Sequence, residues 1–183
     1  MATADEVNDN SNQEYARLVE SRLVAQREMA PKLASAIESC SEVRLYSLDP
    51  GYYSKLSRLF WRLKGGKELD QYRIIGSVLL KKPEEIRSLA ESLRHAIESS
   101  DGTVAMCFNP RHALRFKASG REVSIVVCFE CLNGVIAGFP GLEIFYNTRE
   151  PASIWNQILD AHKTSFERNS TRHSPEPTPG AVH

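Results

Sequence analysis

From Thr103 to Tyr146 apolar and polar residues alternate with a period of two, and turn dipeptides break the alternation every few residues. No other feature narrows the fold as much. The spacing predicts strands over Thr103–Phe108, Ala113–Ala118, Arg121–Leu132, Val135–Phe139 and Leu142–Tyr146. Between them lie Asn109-Pro-Arg-His112, Ser119-Gly120, Asn133-Gly134 and Pro140-Gly141. Asn-Gly is a strong hairpin signal, and Pro-Gly suits a type II turn. Connections this short demand antiparallel neighbours, because parallel strands need a crossover of a dozen or more residues.

A two-residue turn at Ser119-Gly120 sets a testable register. It pairs Lys117 with Glu122, Phe116 with Val123 and Leu114 with Ile125, and extends toward Arg111 and Cys128. The opposite charges of Lys117 and Glu122 support that pairing. Leu114, Phe116, Val123, Ile125, Val127 and Phe129 then share one face, with Cys128, Arg115 and Arg111 on the other.

Upstream, Glu14–Ala30 has helical spacing through Tyr15, Leu18, Val19, Leu23, Gln26 and Met29. Pro31 interrupts it and suits the first position of a second helix to Ser39, with Leu33, Ala36 and Ile37 inward. Val43–Leu48 alternates as a strand and ends in Asp49-Pro-Gly51; Tyr72–Leu80 reads as another. Residues 52–71 have helical spacing to Leu63 and then Gly65-Gly66. Pro83 with Glu84 and Glu85 opens a clear helix to Ser99, with Ile86, Leu89, Ala90, Leu93 and Ile97 as its stripe. A last helix spans Pro151–His162. The expected fold is α+β: an antiparallel meander with helices on one face, preceded by a helical segment over 13–40. Residues 1–12 and 168–183 are polar or proline-rich and are expected to flex around a single domain of 13–167.

The chain has 183 residues, 42% apolar and 25% charged, which suits one soluble domain. Acidic and basic residues balance at 23 each, so no global field draws it to nucleic acid or anionic lipid. The local exception is Lys55, Arg58, Arg62, Lys64 and Lys67 around Phe60 and Trp61, read here as a solvated helix or loop with both aromatics buried. The N-terminus has no basic and apolar leader pattern, and no apolar run approaches the ~20 residues of a membrane span. A cytoplasmic location with reduced cysteines is the expectation.

Three of the four cysteines, with an arginine and a histidine, fall in Cys107-Phe-Asn-Pro-Arg-His112 and Cys128-Phe-Glu-Cys131. Cys107, His112, Cys128 and Cys131 form, on paper, a Cys3His zinc set. Backbone pattern opposes it. On a straight strand Cys128 and Cys131 point to opposite faces, with Cα atoms roughly 10 Å apart, too far for a disulfide. A catalytic thiol, Cys107 or Cys128, with His112 as base needs the two within hydrogen-bond reach and a third group such as Glu130 to orient the ring. The simplest reading of Cys128, amid Ile-Val-Val-Cys-Phe, is packing. Arg111, His112 and Glu130 remain as candidate binding residues beside a proline-fixed turn.

The strings Leu45-Tyr-Ser-Leu-Asp-Pro50, Cys107-Phe-Asn-Pro-Arg-His112 and Val127-Cys-Phe-Glu-Cys131 resemble those of a group of small bacterial proteins with "LYSLDP", "CFxPRHxIR" and "CFEC". The likeness covers about residues 43–162, and Ala113-Leu-Arg115 departs mildly from the group's Gly-Ile-Arg. It implies a shared α+β domain and brings no activity with it. The chain lacks a phosphate loop, paired catalytic acids and a dinucleotide fingerprint. The expectation is therefore a non-enzymatic module without cofactor that binds another protein and neither a membrane nor nucleic acid. One concrete form is an immunity or antitoxin-like protein that neutralises a bacterial toxin enzyme. The alternative is a Cys/His-dependent enzyme or zinc protein.

Overall fold

The computed structural model describes residues 4–51, 55–105 and 107–164, with side chains from residue 13 onward. The tail expected at 168–183 lies outside the described residues.

The fold is α+β. Helix α1 spans Ala4–Glu38, and strand β1, Val43–Asp49, follows. Helix α2 is Lys55–Leu63, then come β2, Glu68–Leu69, β3, Tyr72–Leu80, and α3, Pro83–Glu98. Strands β4, His112–Ala118, β5, Arg121–Cys128, β6, Asn133–Ala137, and β7, Ile144–Tyr146, precede α4, Pro151–Ala161. The strands form one antiparallel sheet in the order β2-β3-β1-β4-β5-β6-β7. β4 to β7 run as a meander, while β1 is inserted between β3 and β4.

The hairpin register holds: Lys117 faces Glu122, Phe116 faces Val123 and Leu114 faces Ile125, with pairing ending at His112 and Val127. Ser119 and Gly120 both take positive φ, as a tight primed turn requires. All six residues assigned to the core face lie in the main apolar cluster with α1, α3 and α4. A second, smaller cluster on the other face joins Tyr46, Leu48, Leu69, Ala113 and Val126, with Tyr72, Ile74 and Phe108 against it. An irregularity in the β1–β3 pairing makes this possible. Ser47 faces Gly76 but Leu48 faces Ile74, so Ile75 is skipped and Ile74 swings to the second cluster.

Four expectations are corrected. Thr103–Phe108 is irregular in its described residues and pairs with no strand. Asn133-Gly134 is not a turn: Asn133 faces Cys128 and Gly134 faces Val127, and the chain reverses instead over residues 129–132 with Leu132 at φ 60°. Glycine at 134 serves packing, because a Cβ there would collide with the ring of Phe145. Pro31 does not divide the helix; α1 runs through it. Burial of Ala30, Leu33, Ala34 and Ile37 on the sheet and α3 offsets the lost backbone hydrogen bond. Finally, the apolar stripe does not bury the first half of α1, since Tyr15 and Leu18 are exposed.

Candidate functional site

The β5–β6 turn brings three sulfurs together. By doubling back after β5, it sets the Cα atoms of Cys128 and Cys131 5.2 Å apart, and the two are paired as a disulfide. This overturns the straight-strand expectation of about 10 Å. A chain that turns immediately after Cys128 does not keep strand rise. Cys107 arrives from the connection between α3 and β4, placing its Sγ 2.9 Å from that of Cys131. Ala105 N–H donates to the Cys131 carbonyl at 3.1 Å and fixes the connection against the turn. Cys128 and Cys131 are buried, whereas Cys107 is exposed with a free thiol.

His112 does not join the sulfurs. It stands on the core face of β4, buried, with Nε2 donating to Asn156 Oδ1 at 2.8 Å. Phe129 and Trp155 lie against its ring, at centroid distances of 5.4 and 5.9 Å. Burial pushes its pKa down to about 4, aided by the Arg111 charge and opposed by the Asn156 bond. Among the described residues, no group of three or more histidine, cysteine or acidic side chains is arranged to hold a metal ion. Arg111, His112 and Glu130 do come together, lining one small recess with Asn109, Phe129, Ala152 and Asn156. Arg111 Nε stands 3.6 Å from Glu130 Oε1. The neutral imidazole here is a packing and hydrogen-bonding group.

A third feature lay unread in the sequence. Helix α2 is built inside out. Its polar side faces the sheet: Arg58 forks onto Glu68, Nε to Oε1 at 3.1 Å and Nη2 to Oε2 at 2.9 Å. Arg62 Nε reaches the same Oε2 at 2.9 Å, and its Nη2 also contacts that oxygen. These guanidinium bonds, Arg58 first, hold the Glu68 carboxyl down at about 2. Arg73 of β3 donates to Ser57 Oγ at 2.7 Å and lies over the Trp61 ring at 5.0 Å. The helix ends in a Schellman motif: Gly65, at φ 81°, donates to the Arg62 carbonyl and Gly66 to that of Trp61, both at 2.9 Å. That accounts for the Gly-Gly pair.

With its polar side engaged, α2 presents Leu56, Leu59, Phe60 and Leu63 outward, at 62%, 51%, 56% and 72% exposure. Phe60, expected to be buried, is therefore on the surface. The spacing i, i+3, i+4, i+7 puts all four on one stripe. Lys55, Lys64 and Lys67 around them are exposed. Four large apolar side chains grouped on one short helix differ from singly scattered surface residues.

No protein-family model, curated protein or solved structure matches the chain. No helix among the described residues is long and apolar enough to cross a membrane.

Proposed function

We propose that this chain is a non-enzymatic binding module that docks another protein through the outer stripe of α2. The observation that carries this reading is the inversion of α2, whose arginines are spent on Glu68 while four large apolar side chains face solvent. Leu56, Leu59, Phe60 and Leu63 have the anchor spacing of a helix laid into a hydrophobic groove. Exposed Lys55, Lys64 and Lys67 call for acidic residues on the rim of that groove. Within this reading, the partner is a bacterial toxin enzyme with an acid-rimmed apolar cleft, and the module an immunity or antitoxin-like protein. The resemblance to small bacterial proteins accords with that setting.

A photo-crosslinking residue placed at Phe60 in the full chain, in cells that express it natively, tests the proposal. The expected result is one crosslinked protein which, once purified, binds the wild-type chain. Its affinity should fall at least about tenfold with Leu59→Asp and weaken with salt. Because Leu59 is exposed, the variant should keep the wild-type melting temperature. Crosslinks only to lipid or to a second copy of the chain would overturn the reading, as would a partner indifferent to Leu59→Asp. Sedimentation with anionic vesicles and the oligomeric state in solution provide those two arms.

A further inference from the structure

The sulfur cluster supports a reaction independent of α2. Cys107 is the exposed thiol, and Cys128 and Cys131 form the buried bond beside it. Two backbone donors serve the buried pair: Asn109 N–H points at Cys131 Sγ at 3.4 Å, and Cys131 N–H points at Cys128 Sγ at 3.2 Å. A thiolate opens a disulfide by attacking one sulfur and expelling the other as thiolate, and a hydrogen bond to the departing sulfur assists it. Cys107 lies against Cys131, and the N–H aimed at Cys128 is where departing charge would collect.

We propose that Cys107, Cys128 and Cys131 form a thiol–disulfide exchange site in which Cys107 is the nucleophile. The Cys107 thiolate bonds to Cys131 Sγ, the Cys128–Cys131 bond breaks, and its electron pair leaves on Cys128 Sγ. Cys128 then takes up the proton that Cys107 released. One disulfide is broken and one formed, so no outside oxidant is needed.

The exchange has a structural consequence. The bond moves from a turn between residues three apart to one spanning 24 residues. It would tie the α3–β4 connection covalently to the β5–β6 turn, and a disulfide closing a longer loop constrains the unfolded chain more. Phe108, next to Cys107, packs on the second apolar cluster, so the tether also acts on that packing. As the exposed sulfur, Cys107 is the entry for a low-molecular-weight thiol or disulfide.

Peptide mapping of the purified full chain, equilibrated in a glutathione redox buffer, quenched in acid and digested with trypsin without reduction, reads the bond directly. Trypsin separates His95–Arg111, which contains Cys107, from Glu122–Arg149, which contains Cys128 and Cys131. The expected result is two oxidised forms of the wild type. One is an internal bond within Glu122–Arg149; the other links the two peptides and forms faster as pH rises. Cys128→Ala should yield only the linked form, and Cys107→Ala only the internal one. A wild-type chain that never shows the linked form would overturn the proposal, and this measurement does not depend on a variant folding. So would a Cys128→Ala chain, folded by circular dichroism, whose two thiols stay free where the wild type is oxidised. One zinc bound per purified chain, with all three thiols protected from alkylation, would equally overturn it.

Discussion

Gln26 and Tyr146 exchange hydrogen bonds across 120 residues of chain: Tyr146 N–H donates to Gln26 Oε1 at 2.9 Å, and Gln26 Nε2 to the Tyr146 carbonyl at 3.3 Å. The same Nε2 donates to the Ile97 carbonyl at 2.7 Å. Beside it, Arg27 donates to the carbonyls of Glu98 and Ser100. Thus α1 satisfies carbonyl groups at the end of α3 that have no partner within their own helix, and it pins edge strand β7 to both helices.

Replacing Gln26 with Leu keeps the volume near the original but leaves these groups without that partner. A buried group left unsatisfied costs about 1–3 kcal/mol. Gln26→Leu should therefore lower the urea midpoint clearly with little change in slope, and α1 should become the first segment cleaved by protease. A loss under about 0.5 kcal/mol would mean that water replaces the amide at no cost.

Leu93 is buried on the α3 stripe within the main cluster. Leu93→Ala should cost about 2–5 kcal/mol in chemical denaturation. A loss below about 1 kcal/mol would show that the site collapses onto the missing side chain, or that α3 is not held on the sheet in solution.

Alternation and charge pairing made β4, β5 and their turn legible in the sequence, because both ends of that hairpin lie within twenty residues of each other. Pairing partners outside such a window were not legible. Thr103–Phe108 carries apolar residues as β1 does, yet its described residues join no strand pair. Asn133-Gly134 was misread because glycine is equally suited to a turn and to a strand crossed by Phe145. The apolar stripe of α2 was visible, but which side of the helix faces inward depends on Glu68 and Arg73, residues that the spacing within α2 does not reveal. The meeting of Cys128 with Cys131 depends on the chain turning over residues 129–132 directly after β5, and no local motif announces that turn. Clustering of cysteines in sequence pointed to the right neighbourhood, and only His112 of that set turned elsewhere.

Glu68 should control whether α2 stays docked. Its carboxylate, held at about 2 by Arg58 and then Arg62, is charged in the folded chain over a wider range than in the unfolded one. The stabilisation it contributes is present above its ordinary pKa near 4.5 and is lost as pH falls toward about 2. Glu68→Gln should imitate that loss at neutral pH. Amide hydrogen exchange over 55–63 should then accelerate while β5 remains protected. Unchanged protection over 55–63 would assign the docking of α2 to Arg73 and Trp61 alone.

His112 should make the whole domain acid-sensitive in a defined window. Its folded pKa is lowered to about 4 by burial. Below about pH 6.5 the unfolded chain takes up a proton at this position and the folded chain does not. Stability from the neutral ring is therefore complete above about pH 6.5 and declines as pH falls toward 4. The decline is on the order of 3 kcal/mol if the whole shift is realised. His112→Gln keeps a side-chain N–H for Asn156 but cannot titrate, and the carboxylates are common to both proteins. The stability of the wild type relative to His112→Gln should therefore fall between pH 7 and pH 4 in urea titrations. A constant difference across that range would mean that the imidazole is protonated as readily in the folded chain as in the unfolded one, and so is not sealed beneath Phe129 and Trp155 in solution.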